Sequence, residues 1–283
     1  MPEGPEIKLA ADRIAKAVID QPLTEVFFAF ESLKPYEEAF VGEKVVAIRP
    51  RGKALLTRLS NGLSIYSHNQ LYGVWYVRKA QSFPTTNRQL RLALHTKKKS
   101  ALLYSASDIL VLNDDEVAGH PFLNKLGPDV LDDSVTAEQV LDRLTSKKYQ
   151  RRGFPTLLLD QNFLCGLGNY LRSEILFLAG VYPTQRPIDC TSHQLEKLAR
   201  ACIEVPRQSY VTKGITNDLS VALALKAEGK PRWFYRHWVF SRMNQPCYVC
   251  GDRILKDEVG GRRVYFCPTC QVKSLTSTNI VKP

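Results

Sequence analysis

The sequence predicts a multi-domain α+β protein: an N-terminal helix with a β-sandwich, a helical middle, and a closing β-hairpin zinc ribbon. Three observations carry this expectation. Apolar residues at helical spacing open the chain and give way to seven short β-rich runs; the pattern turns helical near residue 113; and two Cys-x-x-Cys pairs stand near the end. At 283 residues the chain is long enough for one large domain or two.

The first helix is expected over 5–20, because Ile7, Ala10, Ala11, Ile14 and Val18 fall on one face with charges opposite. Strands follow at 23–29, 44–49, 53–59, 62–67, 72–78, 88–95 and 100–106. Several alternate polar and apolar residues, as Arg88-Gln-Leu-Arg-Leu-Ala-Leu-His95 does, which is how a half-buried strand reads. So many short strands in one stretch fit a sandwich or barrel. Asn113-Asp-Asp-Glu116 then opens a helical region, and Leu126–Asp133 reads as a linker. Thr136-x-x-Gln139 and Thr191-x-x-Gln194 fit the capping box that starts a helix. Between them, 154–162 and 170–180 are apolar helical stretches joined by Phe163–Asn169. The last 50 residues return to β character, with a polar tail from about 271.

Composition narrows the function. Sixteen Gly and 16 Pro are ordinary counts, so collagen-like and low-complexity chains are excluded. No run of 18 apolar residues exists, and the first 20 residues carry charges of both signs, which excludes a spanning helix and a secretory signal. A cytoplasmic protein without a membrane partner is expected. The net charge is +11, and the excess is clustered. Residues 78–99 hold Arg78, Lys79, Arg88, Arg91 and Lys97–Lys99 with no acid, and 143–152 hold Arg143, Lys147, Lys148, Arg151 and Arg152 with none. Residues 226–283 carry 11 basic and 4 acidic side chains. Such patches attract a polyanion, and nucleic acid is the usual one.

Seven cysteines are an odd number, and without an export signal they do not suggest a disulfide framework. Cys165, Cys190 and Cys202 stand apart and read as small buried hydrophobes. Cys247-x-x-Cys250 and Cys267-x-x-Cys270, with 16 residues between the pairs, bring four thiolates around one tetrahedral Zn²⁺ on a hairpin. Four thiolates leave no open coordination position, so this zinc is expected to be structural and not catalytic; no catalytic metal or organic cofactor is expected besides it. The hairpin also carries Arg262, Arg263 and Tyr265.

Three further features could carry chemistry. Pro2 follows Met1, and removal of Met1 would leave a secondary amine with pKa about 7.7–8.0, partly neutral at pH 7. Added to a sugar aldehyde carbon, such an amine becomes an iminium, an electron sink for the adjacent C–H; Glu3 beside it could move protons. Gly166-Leu-Gly168-Asn169 reads either as an ordinary helix–helix turn or as a phosphate cradle with Asn169 as N-cap. Asn69-Gln70-Leu71-Tyr72-Gly73 reads either as a core hairpin or as a turn whose side chains enter a base stack.

Together these features resemble the formamidopyrimidine-DNA glycosylase and endonuclease VIII family of DNA-repair enzymes, over roughly 1–271. The resemblance rests on Met1-Pro-Glu-Gly-Pro-Glu6, Arg51-Gly-Lys53, Ser67-His-Asn-Gln-Leu-Tyr-Gly73 and His120-Pro-Phe-Leu123. It continues through Leu126-Gly-Pro-Asp-Val-Leu131, Leu158-Leu-Asp-Gln161 and Gly166-Leu-Gly-Asn-Tyr-Leu-Arg172 to the zinc ribbon, with Arg262 five residues before Cys267. Pro-Glu-Gly-Pro-Glu and Gln70-Leu71-Tyr72 look like the endonuclease VIII branch. The implied domains are 1–125, a linker over 126–133, a helix–two-turn–helix domain over 134–228, the ribbon over 229–271 and a tail over 272–283, with damaged duplex DNA held between the first two domains by a monomer. The implied roles follow by position. Pro2 attacks C1′, Glu3 assists base release, and Lys53 binds phosphate and acts as an acid in elimination. Asn169, Arg262 and Lys125 grip flanking phosphates, and Gln70, Leu71 and Tyr72 fill the gap in the stack. The implied activity is release of oxidised pyrimidines followed by β,δ-elimination at the abasic site.

The sequence departs from the family at Lys125, where close relatives carry Arg; charge is kept and bidentate geometry lost. An oxidised-purine glycosylase of the same family and a non-enzymatic zinc-ribbon nucleic-acid-binding protein stay open. The latter explains charge and cysteines but does not require Pro2-Glu3 or Arg51-Gly-Lys53. A metal-dependent nuclease is disfavoured, since no acidic cluster is visible.

Overall fold

Helix α1 (Gly4–Val18) starts where the sequence can cap it. Glu3 and Glu6 form a reciprocal capping box, the Glu3 N–H donating to Glu6 Oε2 at 3.0 Å, and Pro5 sits in the first turn, where its missing N–H costs nothing. Ile19 is extended and Asp20 takes φ +59, which turns the chain into β1 (Leu23–Phe28). The computed structural model describes residues 2–273 and divides into two units, Met1–Leu126 and Gly127–Pro283.

In the first unit, α2 (Pro35–Ala39) is followed by β2 (Val45–Arg51), β3 (Ala54–Leu59), β4 (Ser64–His68), β5 (Val74–Lys79), β6 (Leu90–Thr96), β7 (Lys99–Tyr104), β8 (Asp108–Leu112) and α3 (Asp114–Gly119). They form two four-stranded antiparallel sheets, β1-β6-β7-β5 and β2-β3-β4-β8. The sheets share one core with α1: Ile7, Ala11, Ile14 and Val18 pack with Phe28, Leu55, Ile65, Trp75, Leu92 and Leu103. Each such aliphatic burial contributes roughly 1.5–3 kcal/mol, so the sandwich is held by side-chain alternation. A smaller cluster, Ala54, Tyr66, Leu112 and Leu123, lies on the other face of the second sheet. Strand β8 is not among the expected runs, because Asp108-Ile-Leu-Val-Leu112 does not alternate.

The second unit holds α4 (Ala137–Thr145), α5 (Phe154–Leu157), α6 (Asn169–Leu178), α7 (Ser192–Val211), α8 (Leu219–Ala227), α9 (Arg232–Tyr235), β9 (Leu255–Val259) and β10 (Arg262–Phe266). Thr136 and Thr191 cap α4 and α7 through the boxes the sequence predicts. The helix expected over 154–162 stops at Leu157: Arg152 pairs with the Asp160 carboxylate at 2.6 Å, and Asn162 N–H bonds the same group at 2.9 Å, bending the chain. Helix α8 falls within the helical domain expected over 134–228, though no individual helix is assigned there, and α9 stands in the segment expected as ribbon. Residues 127–133 form neither helix nor strand, yet Gly127 N–H bonds Gln161 O at 2.9 Å and Cys165 N–H bonds Pro128 O at 3.0 Å. A side chain at Gly127 would lie 2.6 Å from the carbonyl oxygens of Asn162 and Phe163, so glycine is required there. Gln271 is fully buried and donates to Val181 O at 2.8 Å. The tail expected beyond it lies, from residue 274, outside the described residues. No helix among the described residues is long and apolar enough to cross a membrane.

Candidate functional site

The first unit carries Pro2, Glu3, Lys53, the Gln70–Tyr72 turn and Lys125. Pro2 is half-buried, and Glu3 is buried to 4% exposure, with its N–H engaged by Glu6. The capping of α1 therefore sets the direction in which Pro2 leaves the helix. Lys53 stands in the two-residue turn between β2 and β3, after Gly52 at φ +60. A glycine at positive φ opening a two-residue hairpin matches the right-handed twist of the strands and keeps the turn tight. Lys125, exposed, ends a 3₁₀ turn (Leu123–Lys125).

His68, quoted in the sequence motif but given no role there, links two of these features. Burial lowers its pKa; the Asp108 carboxylate opposes that, and the nearby Lys53 ammonium adds to it. The ring is therefore neutral at pH 7, and its Nδ1 accepts the Gln70 N–H at 3.2 Å. Lys53 and the base of the 70–72 turn are thus neighbours of one imidazole. In that turn Gln70 takes φ +48, and its Oε1 accepts the Ser107 hydroxyl at 2.7 Å. Gly73 N–H closes on Asn69 O at 2.7 Å, and a Cβ at Gly73 would lie 2.6 Å from Asn69 backbone, so only glycine fits. The Arg88 guanidinium bonds Tyr72 O. Leu71 and Tyr72 are left 57% and 69% exposed, a rigidly held apolar tip in water rather than a core hairpin.

In the second unit Asn169 is not the N-cap of α6, as the sequence suggests; Gly168 is, and Asn169 is the first helical residue. The reason is Gln161: its Oε1 accepts Gly166 N–H at 3.1 Å and its Nε2 donates to Leu167 O at 3.0 Å, with Gly166 at φ +95. The turn is thus closed before Asn169. The Asn169 Oδ1 accepts Arg172 Nη2 at 2.7 Å, which leaves the amide N–H₂ as donor. Arg172, which has no exposed surface, also donates to Pro155 O at 2.6 Å and Arg263 O at 2.9 Å. It therefore ties Asn169 to the strand that begins at Arg262, whose side chain is exposed. Sequence reasoning gives Arg172 no role; its only signal is a charge inside an apolar helix.

Glu174, two residues on in α6, is also fully buried. Its carboxylate accepts the N–H groups of Trp238, Val239 and Phe240 at 2.8, 2.9 and 2.9 Å and the Thr216 hydroxyl. Burial raises its pKa against the pull of those bonds. The bonds fasten the segment leading into the ribbon onto α6.

The ribbon itself places Cys247, Cys250, Cys267 and Cys270 with all Sγ atoms within 4.8 Å of one another; two pairs are 3.8 and 3.4 Å apart. Tetrahedral zinc with Zn–S near 2.3 Å wants sulfurs about 3.8 Å apart, so the four thiolates fit one ion. Between β9 and β10, Gly260 and Gly261 take φ +61 and +70, the pair of positive angles a two-residue type I′ turn needs. That hairpin presents Arg262 at the start of β10.

Comparison with known proteins gives a consistent picture. Residues 1–107 match the family model of the formamidopyrimidine-DNA glycosylase N-terminal domain, 126–220 that of the formamidopyrimidine-DNA glycosylase H2TH domain, and 244–272 a zinc finger found in FPG and IleRS. Endonuclease 8 of Klebsiella pneumoniae subsp. pneumoniae is 49% identical over 271 residues, 96% of this chain and 100% of that protein. Endonuclease 8 of Escherichia coli K12 is 48% identical over the same shares. Among solved structures, Lactococcus lactis Fpg (MutM) with DNA containing N7-benzyl-Fapy-dG matches with a TM-score of 0.79 and 19% identity, over 96% of this chain and 100% of the other. A complex of the same enzyme with abasic-site DNA gives 0.78 at 19%, over the same shares. These structural likenesses speak for the fold.

Proposed function

The chain belongs to the formamidopyrimidine-DNA glycosylase and endonuclease VIII family, and from that premise we propose that it releases oxidised pyrimidines from duplex DNA and cuts the strand at the resulting abasic site. The observation that carries the reading is full-length identity of 48–49% to two endonuclease 8 proteins. The chemistry follows from this chain's residues. With Met1 removed, Pro2 is a secondary amine whose neutral fraction at pH 7 can attack C1′ as the base departs. The amine then loses its proton and the sugar ring opens at C1′–O4′, with O4′ taking a proton to leave as a hydroxyl; the iminium so formed is cationic without further protonation and acidifies the 2′ hydrogen. β-Elimination then expels the 3′ phosphate and δ-elimination the 5′ phosphate. Glu3, buried beside Pro2, moves protons during these steps, and Lys53 protonates a leaving phosphate oxygen.

A base inside a duplex is out of reach, so the nucleotide must leave the stack. The exposed Leu71–Tyr72 tip supports gap filling, with Gln70 facing the orphaned partner base. The expected substrates are thymine glycol, dihydrouracil and 5-hydroxycytosine; the ring-saturated ones, such as thymine glycol, are non-planar and stack poorly, so part of the opening cost is met before the enzyme arrives. Asn169, Arg262 and Lys125 hold flanking phosphates. The zinc held by the four cysteines contributes folding of the hairpin rather than a reaction step. The protein acts as a monomer on damaged duplex DNA in the cytoplasm.

Borohydride reduction in the presence of thymine-glycol or abasic duplex tests the reading. A covalent adduct on Pro2, in protein lacking Met1, is the expected product; an adduct on Lys53 would overturn the assignment. Faster single-turnover cleavage of 8-oxoguanine paired with cytosine than of thymine glycol would move the chain to the oxidised-purine branch.

A further inference from the structure

The seven cations of residues 78–99 do not form one patch. Arg88 bonds Tyr72 O at the apolar tip, and Arg91 stacks on Phe30 with its guanidinium 5.4 Å from the ring. The other five, Arg78, Lys79, Lys97, Lys98 and Lys99, gather at the opposite end of sheet β1-β6-β7-β5. The ladder decides this: Val74, next to the tip, pairs with Tyr104, whereas Lys79 pairs with Lys99 and Arg78 with Ser100. Five residue steps of strand, about 17 Å, separate the two ends.

All five side chains are exposed, and none takes part in an ion pair among the described residues. Glu25, opposite His95, is the acid the ladder brings to this end, and its carboxylate is engaged by Gln81 Nε2 at 2.8 Å. Lys79 directly opposite Lys99 is a like-charge cross-strand pair, which costs stability in the free protein. The cluster is also held stiffly. The buried Thr96 hydroxyl accepts Lys99 N–H at 3.0 Å and Lys98 N–H at 3.3 Å, and donates to Lys99 O at 2.9 Å. Ala80 N–H bonds Lys98 O at 3.0 Å, and Gln81 N–H bonds Ser100 Oγ at 3.1 Å, joining the end of β5 to the turn. A rigid run of cations without acidic partners is preorganised for a regularly spaced polyanion, and duplex DNA offers one charge per about 1.7 Å.

We propose that this end of the sheet is a second DNA-docking surface, which takes the phosphates of a duplex segment other than the one under repair. The proposal rests on the reading that the protein acts on DNA. A surface of this kind lets the protein pass from one duplex segment to another without first becoming free.

The test uses the full chain held on an immobilised duplex carrying a stable abasic analogue, to which a fluorescent undamaged duplex is added. The wild type retains the second duplex, and Lys97→Gln/Lys98→Gln/Lys99→Gln retains roughly tenfold less at low salt. Because Thr96 and backbone groups make the turn, the triple variant keeps its fold, which single-turnover cleavage at saturating enzyme verifies by staying at the wild-type rate. A wild type that holds no second duplex, or a variant that holds as much, overturns the proposal. Should the immobilised duplex fail to hold the wild type, the glycosylase reading fails separately. The surface is then read by titrating free protein with undamaged duplex: the variant's salt slope must flatten by about 0.9 for each phosphate that it no longer neutralises, and unchanged slopes refute the proposal.

Discussion

Replacing Arg172 by methionine tests whether Asn169 owes its orientation to that buried guanidinium. Methionine keeps the stem volume and removes the donors to Pro155 O, Asn169 Oδ1 and Arg263 O at 2.6, 2.7 and 2.9 Å. Hydrogen bonds from a charged donor are worth about 1.5–3 kcal/mol each, but the variant no longer buries a charge, so the net loss is about 3–5 kcal/mol rather than their sum. For a unit of this size that is a fall in melting temperature of roughly 10 °C. Binding adds a sharper readout. Asn169→Ala alone should lose one bond to a phosphate, about 1.5–3 kcal/mol, or roughly 10- to 150-fold in Kd for an abasic-analogue duplex. If Arg172 aims the amide, Asn169→Ala made in the Arg172→Met background should cost far less. Fluorescence anisotropy on the four proteins measures that coupling. Additive effects, within about 0.5 kcal/mol, would refute the positioning role, and so would a melting temperature unchanged by Arg172→Met.

Three other outcomes follow from the same geometry. Cys267→Ala should lose the one zinc per chain, measured by metal analysis, and with it DNA binding, because the hairpin that presents Arg262 needs the ion to fold; full binding by a metal-free preparation would contradict this. Leu71→Ala, which trims a side chain 57% exposed at the tip, should leave stability within about 0.5 kcal/mol and slow lesion cleavage more than cleavage at a preformed abasic site; equal slowing in single-turnover assays would count against gap filling. His237 is held at about 3 by burial, with Arg236, Arg232 and Arg242 pushing the same way, whereas in the unfolded chain it titrates near 6.5. The unfolded state then takes up a proton the folded state refuses, so stability is full above about pH 6.5 and falls as pH drops toward 3. Between pH 6.5 and 5 this is about 2 kcal/mol, which His237→Gln should abolish in urea unfolding; identical pH profiles would rule the linkage out.

The elements most legible in the sequence are those set by atoms close together along the chain. The capping boxes at Thr136 and Thr191 join groups three residues apart, and both open helices. The run Arg88–His95 is found as a strand, β6 over Leu90–Thr96, but its alternation suggests one buried face where the structure buries both: Leu92 and Leu94 enter the main core and Ala93 a second cluster, with a register shift between Leu90 and Leu92. Helix α8 also has a local signal, though no individual helix is assigned there within the helical domain: Asp218 caps it through Ser220 and Val221 N–H, ahead of a run of Leu, Ala and Lys. The over-long helix at 154–162 fails for the opposite reason. Leu157-Leu158-Leu159 has no breaker in it, and the bend comes from Asp160 engaging Arg152 and Asn162 N–H.

At the site, residue types with a fixed chemistry can be found from spacing alone, as with the four cysteines. The positioning groups cannot, and the physical reason is common to them. Arg172 reaches Arg263 O across 91 residues, Glu174 takes three N–H groups some 64–66 residues away, and Gln271 donates to Val181 O across 90. Each pairs a side chain with backbone. Every residue but proline offers the same N–H and C=O, so nothing in the identity of residues 238–240, 263 or 181 records that a partner exists. The misplaced N-cap has the same origin. Asparagine is a favoured N-cap, but Gln161 satisfies the turn backbone first and Arg172 claims the Asn169 oxygen. Gln161, half-buried, and Arg172, Glu174 and Gln271, fully buried, are the side chains whose bonds to backbone hold the turn before α6 and the ribbon in place, and none of those bonds is written in the identity of the residue that receives it.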